Sequence, residues 1–255
     1  MTAAHETWQS HPLCGPRETL PDRYWGPEPF NPEAWRELEP LFDPSAEITA
    51  ILDALGDSTD AVDVGGGTGL LTQAVAKRMP VLVIEPSSAQ REQLPPGITA
   101  REGRIEALPL ADRSHDAALA TWVLQYTADP LRAVSELARV ARRRVVIVQG
   151  APGNDLITLW NIEGAIAGMP FAHHGFLLAH AAEILERAGF SIELSRIPIA
   201  VAAPSSHRLA DIFARLHFWK HPRLADMIAA TEPVIARTLA IGELNDDAVM
   251  LTARR

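Results

Sequence analysis

The stretch Asp63-Val-Gly-Gly-Gly-Thr-Gly69 closes an apolar run that begins at Ala61. A short apolar run bounded by glycine predicts a buried strand that ends in a tight turn. Glycine reaches positive φ and lets the backbone approach a ligand without a Cβ atom in the way. Residues 70–78 then read as a helix, whose N-terminus favours an anionic or polar ligand. The stretch therefore predicts a strand, a turn and a helix around a nucleotide-type ligand.

Two well-known glycine loops fit this stretch poorly. In a dinucleotide-binding loop, Gly-x-Gly-x-x-Gly/Ala, counting from Gly65 puts Leu70 where a small residue should allow close helix–strand packing. A P-loop needs Gly-Lys followed by Ser or Thr after the glycines, and the sequence has no such group there. A nicotinamide oxidoreductase is therefore a weakened alternative, and a P-loop protein is weaker still.

Two further segments follow in order along the chain. Val81-Leu-Val-Ile-Glu85 predicts a buried strand that ends in an acid. A carboxylate suits a ribose, because its two oxygens accept parallel hydrogen bonds from vicinal hydroxyls. Next come Gly103-Arg-Ile-Glu-Ala-Leu-Pro-Leu110 and Asp112-Arg-Ser-His-Asp116, and an apolar strand then reaches Trp122. Three motifs in this order are more specific than the glycine run alone.

Together these motifs resemble the class I S-adenosylmethionine-dependent methyltransferases, in the small-molecule branch of natural-product and ubiquinone–menaquinone-like enzymes. The resemblance covers roughly residues 45–200. It implies an α/β fold with a doubly wound, seven-stranded, mostly parallel sheet of Rossmann-like type and helical cap insertions. It also implies S-adenosyl-L-methionine as the cofactor, S-adenosyl-L-homocysteine as its product, and methyl transfer as the reaction.

The resemblance also implies the cofactor-binding residues. Asp63 and the glycines would surround the methionine part, and Glu85 would accept both ribose hydroxyls. The branch usually reads Gly-Asp-Ala-Glu-x-Leu-Pro, with its first acid near the adenine amine, but here Arg104 and Ile105 replace that acid and the small residue. We expect Ile105 to pack on the ring and backbone groups to read its edge. The full predicted set is Asp63, Gly65, Gly66, Gly67, Gly69, Glu85, Pro86, Arg104, Ile105, Glu106, Thr121, Trp122 and Tyr24.

The composition is that of a folded protein with one substantial core: 255 residues, 47% hydrophobic and 22% charged. A formal net charge of −9 disfavours nucleic acid as a partner, because such binding relies on clustered lysine and arginine. The run Arg142-Arg-Arg144 is a candidate basic patch, but we expect it to close a helix, where cations complement the helix dipole. A small-molecule acceptor is therefore expected, without nucleic acid.

No window of about 18 apolar residues predicts a membrane span, and residues 1–10 lack the basic-then-apolar pattern of a secretory signal. We therefore expect a cytoplasmic protein that binds no membrane. The single cysteine, Cys14, excludes an intrachain disulfide and a four-cysteine zinc site, and no metal is expected. A homodimer is compatible with the sequence, which does not fix the oligomeric state.

Residues 1–44 are expected to form an N-terminal arm or lid. Eight prolines from residue 12 onward preclude long helices there, except for short ones near residues 33–41. Aromatic residues accompany these prolines. Tyr24 and Trp25 are candidates for covering the cofactor, and packing against the core is an equally weighted alternative for both.

Residues 45–255 are expected to form the methyltransferase domain. Short apolar runs alternate with helices, which implies parallel strands, and the run at residues 248–253 matches the reversed last strand of the family. Two insertions, residues 151–176 and 204–242, are left over. Because ligands bind beyond the carboxyl ends of the strands in such sheets, we expect both insertions on the substrate side.

The methyl group of a sulfonium is already activated, so methyl transfer mainly needs an acceptor held in line. Some acceptors also need a base, and histidine has a suitable pKa of about 6.5. We nominate His173 and His174, although hydrogen bonding to the loop backbone is the favoured role for each. Trp122, Gln125 and Tyr126 are expected to line the pocket. Tyr126 is a candidate for a hydrogen bond to the acceptor, with packing on the neighbouring helix as an equally weighted alternative, but a phenol with a pKa of about 10 is a poor base.

Two other histidine patterns carry less weight. Ser114-His-Asp116 puts a nucleophile, a base and an acid in a row, but adjacent residues on a strand cannot form that relay. His217 and His221 are expected on one helix face as half of a metal-site pattern, with a buried pair favoured over a metal.

Six tryptophans against two tyrosines, several in the arm and the insertions, predict an aromatic chamber for a flat hydrophobic acceptor. The sequence thus predicts methylation, at O, N or C, of a small aromatic or heteroaromatic metabolite in secondary metabolism. A methyltransferase for macromolecules and a non-catalytic S-adenosylmethionine-binding module stay open as alternatives.

Overall fold

A computed structural model describes residues 8–15, 31–169 and 177–255. Within these ranges the strands are β1 Ala61–Val64, β2 Val81–Ile84, β3 Thr99–Arg101, β4 His115–Thr121, β5 Ala141–Gly150, β6 Ser191–Ile197, β7 Ala200–Val201, β8 Leu244–Asn245 and β9 Ala248–Arg254. The helices are α1 Pro32–Leu38, α2 Ser45–Leu55, α3 Leu70–Ala76, α4 Ser88–Arg91, α5 Pro130–Val140, α6 Asp155–Ala167, α7 Leu177–Arg187, α8 Ser206–Phe218 and α9 Leu224–Ile241.

Seven of the strands form one sheet in the order β3-β2-β1-β4-β5-β9-β6. Strands β1 to β5 pair in parallel, while β9 runs antiparallel to both β5 and β6. The predicted seven-stranded, mostly parallel sheet with a reversed last strand is therefore confirmed. Strands β7 and β8 form a separate two-stranded ribbon.

The strand order reverses at β1 and β4, which are neighbours in the sheet although β2 and β3 lie between them in sequence. Parallel strands end at one edge, and a crevice forms beyond those ends at such a switch point. The register sets Asp63 beside Val83 of β2 and Leu119 of β4. The segments that follow β1, β2 and β4 therefore emerge side by side.

Alternate residues of the central strands point to opposite faces of the sheet and build two apolar clusters. On one face, Val62 and Ile147 belong to a cluster shared with α5 and α7. On the other face, Ala61 and Leu119 belong to a cluster shared with α2 and α3. Because both faces are buried, the strands are apolar almost without interruption, as in other parallel sheets.

A third apolar cluster lies outside the sheet, in a cap formed by α1, α6, α8 and α9. Its buried side chains include Leu38 of α1, Leu159 of α6, Phe213 of α8 and Ile235 of α9. No helix within the described ranges, the 18-residue α9 included, has both the length and the apolar character needed to cross a membrane.

Residues 31–44 are attached to the cap. The Asn31 side chain caps the N-terminus of α1, and its backbone N–H donates a hydrogen bond to Leu216 O of α8 at 2.8 Å. Glu37 of α1 pairs with Arg215 of α8 at 3.3 Å. This part of the predicted arm therefore packs as one unit with α8.

The arginine run 142–144 lies in a strand, so its predicted place at a helix end was wrong. Helix α5 ends at Val140, and β5 begins at the next residue, Ala141. Pairing with β4 and β9 keeps the run extended. The arginines form ion pairs, with N–O distances of 2.5–2.8 Å, in Arg142–Asp60, Arg142–Asp116, Arg143–Asp57 and Arg144–Asp57.

Asp116 is the most buried acid of this group, with 7% of its surface exposed. Its Oδ2 accepts hydrogen bonds from Thr59 Oγ1 at 2.6 Å and Thr59 N at 3.0 Å. Its Oδ1 accepts one from Arg142 Nε at 2.8 Å. The hydrogen bonds from Thr59, and then that from Arg142, hold the pKa of Asp116 well below its usual range. The ionised carboxylate thus joins β4 to β5 and to the loop before β1.

Replacing this carboxylate should make the fold less stable. We expect Asp116→Asn to lower the free energy of unfolding by about 1–3 kcal/mol at neutral pH, because a charged acceptor of three hydrogen bonds is lost. A group with a lowered folded-state pKa contributes stability above its unfolded pKa of about 3.9 and loses it as the pH falls through the folded-state pKa. Urea unfolding at stepwise lower pH should therefore bring wild type and variant together.

Asp112→Asn is the matched control for this experiment. Asp112 pairs with Arg139 at 2.8 Å, but its side chain is 78% exposed, and exposed ion pairs contribute little. Its replacement should change stability by less than about 0.5 kcal/mol. Equal stability of Asp116→Asn and wild type at neutral pH would contradict the importance of the Asp116 contacts.

Candidate functional site

A cavity of about 770 Å³ lies between the carboxyl ends of β1, β2 and β4 and the helices of the cap. The segments after those strands form one side, and α1, α2, α6 and α8 supply much of the rest of the wall. The structure brings most of the predicted site residues to this wall. They are Asp63, Gly65, Gly66, Gly67, Glu85, Pro86, Arg104, Ile105, Glu106, Thr121, Trp122, Gln125 and Tyr126.

The turn after β1 has no room for a side chain at its first position. Gly65 has a φ of +76°, and a Cβ atom there would lie 2.6 Å from Val123 Cγ2. Gly67 has a φ of +54°, and no atom lies within 4 Å of the place of its Cβ. Positive φ favours glycine at both positions. Gly69 precedes α3 and is not among the cavity-lining residues, so its predicted cofactor contact stays a prediction.

Two acids at neighbouring strand ends border the turn. Asp63 is 4% exposed and accepts a hydrogen bond from Thr72 Oγ1 at 2.5 Å, and burial raises its pKa to about 6. Glu85 is also 4% exposed, and its Oε1 accepts a hydrogen bond from Ser87 N at 2.9 Å. Burial raises the pKa of Glu85 as well. The parallel register thus brings both acids to one cavity, as the sequence predicts.

The segment after β3 forms an apolar surface beside Glu85. Ile105 is 5% exposed and lines the cavity. The Arg104 guanidinium lies 3.3 Å from Glu106 Oε1, which also accepts a hydrogen bond from Ala128 N at 2.8 Å. The position where the family has an acid therefore holds an arginine paired with Glu106. The predicted packing of Ile105 on adenine stays a prediction.

Trp122, directly after β4, has a strained backbone and a buried partner. Its φ is +58°, which is uncommon for a residue other than glycine. Its N–H donates to Val148 O at 2.9 Å, and its indole Nε1–H donates to Glu47 Oε1 at 2.8 Å. Glu47, on α2, is 6% exposed, and burial raises its pKa to about 7. Strain of this kind persists where the surroundings fix it, often at functional sites.

We call the half of the cavity next to the cap the cap-side chamber. Its polar and aromatic residues are Trp35, Phe42, Glu47, Trp122, Gln125, Tyr126, Trp160, His217 and Asp246. The His217 and Trp160 rings stack at 4.5 Å with 16° between their planes, and Tyr126 OH lies 3.0 Å from His217 Nε2. Burial lowers the pKa of His217 to about 3 and raises that of Tyr126, so both are neutral at neutral pH.

Asp246, between β8 and β9, completes the wall of the chamber. Its Oδ1 accepts a hydrogen bond from Asn154 Nδ2 at 2.6 Å. Burial, and then the charge of the nearby Glu47, raises the pKa of Asp246 to about 8. The charge of Asp246 in turn raises the pKa of Tyr126. These three groups therefore share one poorly solvated space.

Sequence reasoning missed Glu47, Asp246 and the contact of His217 with Tyr126. The sequence does contain a signal for Glu47. It shares the apolar face of α2 with Ile51, one turn away, and an acid on an apolar helix face indicates a functional or structural role. Asp246 carries no comparable signal, since a polar turn before a last strand is ordinary. Its position is set by the pairing of β9 with β5.

Some predicted residues fall elsewhere. His173, His174, Tyr24 and Trp25 lie outside the described residues, and their roles stay predictions. The expectation that His217 and His221 share a helix face was wrong, because α8 ends at Phe218. Among the residues that the structure describes, no group of three or more histidine, cysteine, aspartate or glutamate side chains is arranged to hold a metal.

Comparison with known proteins agrees with this geometry. Residues 62–148 match the family model of a methyltransferase domain. The 2-methyl-6-phytyl-1,4-hydroquinone methyltransferase 2 of Oryza sativa subsp. japonica is 30% identical over 121 residues, which are 44% of this chain and 33% of that protein. The chain spans about a third of the length of the curated relatives it matches.

Solved structures share the fold. An Anabaena variabilis protein assigned to the methyltransferases of an antibiotic biosynthesis pathway is 18% identical with a TM-score of 0.62, over 82% of this chain and 96% of that one. Phosphoethanolamine N-methyltransferase 2 of Haemonchus contortus, in complex with S-adenosyl-L-methionine, is 15% identical with a TM-score of 0.50, over 82% of this chain and 52% of that one. At these identities the likeness establishes the fold.

The domain match, the sheet order and the glycine turn between two strand-end acids all point to one family, whose cofactor is S-adenosyl-L-methionine. Residues 62–148 match a methyltransferase domain, and the described residues have the fold of the class I S-adenosylmethionine-dependent methyltransferases.

Proposed function

We propose that the protein transfers a methyl group from S-adenosyl-L-methionine to O, N or C of a small aromatic or heteroaromatic metabolite in secondary metabolism. The observation that carries this proposal is one continuous cavity of about 770 Å³ that joins the glycine turn to the cap-side chamber. Two comparisons support it. The rice relative is named for a hydroquinone, and the Anabaena neighbour is assigned to antibiotic biosynthesis.

The strand-end half of the cavity suits the cofactor in shape and chemistry. The backbone of Gly67 is bare, since no atom lies within 4 Å of the place of its Cβ, so a ligand can lie directly on it. Carboxylates accept hydrogen bonds from ammonium and hydroxyl groups, and Asp63 and Glu85 supply them. We therefore assign the methionine part to Asp63 and the glycine turn, and the ribose to Glu85.

The remaining cofactor contacts follow from the order of the segments. We assign adenine to the surface around Ile105, with Pro86, Arg104 and Glu106 at its border. The end of β4, Thr121–Trp122, then borders the reacting group. When bound, the cofactor supplies an activated sulfonium methyl group, so the protein's part is to hold the acceptor in line and to exclude water.

The cap-side chamber suits a flat acceptor. Aromatic rings bind such molecules well, because they offer large rigid surfaces with little loss of conformational entropy. The rings come from four different segments, namely α1 with the turn after it, the end of β4, α6 and α8. The two insertions, residues 151–176 and 204–242, thus contribute residues to the acceptor side. On that ground we propose that the chain consists of an N-terminal arm, a sheet domain and substrate-side insertions.

Two roles are proposed for polar groups near the acceptor. The Tyr126 hydroxyl keeps its proton, because burial raises its pKa, so it orients an acceptor by hydrogen bonding and does not act as a base. Helices α6 and α7 are described, and His173 and His174 belong to the segment between them. We retain these two histidines as the proposed bases.

A pair of glycine variants tests the cofactor assignment. Gly67→Ala and Gly97→Ala both strain the backbone without a steric clash, since both glycines have positive φ and no atom lies within 4 Å of either Cβ position. Only Gly67 lines the cavity. Calorimetric titration with S-adenosyl-L-homocysteine should give at least about tenfold weaker binding for Gly67→Ala, or roughly 1.4 kcal/mol, and no change for Gly97→Ala. Unchanged binding of S-adenosyl-L-homocysteine in both variants would contradict the assignment of the cofactor to the glycine turn.

The reaction itself is tested with a methyl-labelled cofactor and an extract of small metabolites mixed with protein and RNA. We expect the label in a small aromatic product. Label confined to protein or nucleic acid would contradict the proposed small-molecule acceptor. Cofactor binding without any turnover would indicate a non-catalytic module.

Substitution of the proposed groups refines this assay. Tyr126→Phe should lower turnover by about tenfold and leave the affinity for S-adenosyl-L-homocysteine unchanged, because one hydrogen bond to the acceptor is lost. His173→Gln and His174→Gln should also spare cofactor binding, and the one that acts as base should lose about 100-fold in turnover. Full turnover in both histidine variants would leave positioning alone as the mechanism.

A further inference from the structure

The cap-side chamber offers hydrogen-bond acceptors without matching donors. Glu47 uses Oε1 for the Trp122 indole, and Asp246 uses Oδ1 for the Asn154 amide. The second oxygen of each carboxylate accepts no hydrogen bond from a described residue. Gln125 is 4% exposed, and no described group donates to its Oε1. A ligand that donates hydrogen bonds would satisfy all three oxygens.

The charges of the chamber are equally one-sided. Arg104 is the one lysine or arginine among the described residues that line the cavity, and its guanidinium pairs with Glu106 at 3.3 Å. His217 cannot supply a cation, since burial lowers its pKa to about 3. Within the described part of the chain, the carboxyl groups of Glu47 and Asp246 therefore have no positively charged partner.

Burial without a cation is unfavourable for two carboxylates. This is the physical reason that burial raises the pKa of Glu47 to about 7 and that of Asp246 to about 8. A bound cation would restore the charged form of both groups. The rings around them add to this preference, because Trp160, Tyr126 and Trp35 line the same cavity and aromatic faces attract cations.

We propose that the acceptor carries a basic nitrogen, as an amine or a protonated N-heterocycle, and that the Glu47 and Asp246 carboxylates bind it in the cap-side chamber. This inference rests on the proposed function and narrows its acceptor class from O, N or C to nitrogen. Gln125 Oε1 accepts a further hydrogen bond from the same group or from a neighbouring N–H.

The chemistry of an amine acceptor agrees with two carboxylates. An ammonium ion must lose a proton before its nitrogen has a lone pair to form a bond. For an amine acceptor, a neighbouring carboxylate accepts that proton in place of the histidine base proposed above. The nitrogen lone pair then forms the new N–C bond, while the sulfur that departs keeps the electron pair of the broken C–S bond. The resulting methylammonium ion is paired with the carboxylate that remains ionised.

The test compares amines with alcohols of the same shape. Tryptamine and tryptophol share the same ring and side chain, but tryptamine ends in an ammonium group and tryptophol in a hydroxyl. Phenethylamine and 2-phenylethanol form a second pair of this kind. Binding of each is measured by calorimetry to the full chain saturated with S-adenosyl-L-homocysteine. We expect each amine to bind at least about tenfold more tightly than its alcohol, as a charged hydrogen-bonded pair requires. No preference for either amine overturns the inference.

Variants assign the preference to the two carboxylates. The double variant Glu47→Gln/Asp246→Asn keeps the shapes of both side chains and should bring each amine within about twofold of its alcohol. Asp53→Asn, a change on the exposed side of α2, is the matched control and should keep the preference. Thermal unfolding of the double variant checks that it is folded. A preference that survives in a folded double variant overturns the assignment.

The cofactor affinity separates this inference from the proposed function. Both single variants, Glu47→Gln and Asp246→Asn, should bind S-adenosyl-L-homocysteine as wild type does. A tenfold loss would mean that these carboxylates bind the cofactor's own ammonium group, which overturns the inference and leaves the proposed function intact. Wild-type protein that fails to bind S-adenosyl-L-homocysteine would overturn both.

Discussion

The first position of the turn after β1 has no room for a side chain, and the arrangement of the whole site depends on this constraint. The Cγ2 atom of Val123 occupies the space next to Gly65, 2.6 Å from where a Cβ atom would be. Val123 follows β4, so the contact joins the ends of the two strands at the switch point. Trp122 and Tyr126 flank Val123 in the same segment. The sheet therefore positions Trp122 and Tyr126 against the glycine turn, and the cap helices pack onto this arrangement.

The same segment shows how the strain at Trp122 is compensated. A positive φ costs a non-glycine residue about 1–3 kcal/mol. Two hydrogen bonds offset this cost, one from the backbone to Val148 in the neighbouring strand and one from the indole to Glu47 on α2. The second of these holds an acid in a place where burial disfavours its charge. Backbone strain, a buried carboxyl group and the position of the chamber are thus consequences of one local conformation.

Much of the fold could be predicted from sequence because it follows from local patterns. The apolar runs that end at Val64 and Ile84 are short, bounded and followed by an acid or glycine, and such patterns determine both the strand and its edge. The arginine run 142–144 was misplaced because the helix before it has no glycine stop, and pairing with β9, about 100 residues later, decides its conformation. Nothing local encodes that pairing.

The site divides along the same line. Asp63 and Glu85 could be predicted, since strand ends in a parallel sheet meet at one edge. Asp246 and the stack of His217 on Trp160 could not, because they depend on how α6, α8 and the β8–β9 turn approach one another in space. Contacts between elements that are distant in sequence leave no periodicity to read. The prediction that His217 and His221 share a helix face was wrong for a simpler reason, because α8 ends at Phe218.

The cap has its own apolar cluster, separate from the two that sandwich the sheet. Changes in one cluster therefore need not disturb the packing of the others. Substitutions on α1, α6 or α8 can reshape the pocket during evolution while the scaffold under it stays as it is. Related chains can in this way diverge toward new molecules by altering a few helical side chains, and the ancestral frame is inherited unchanged.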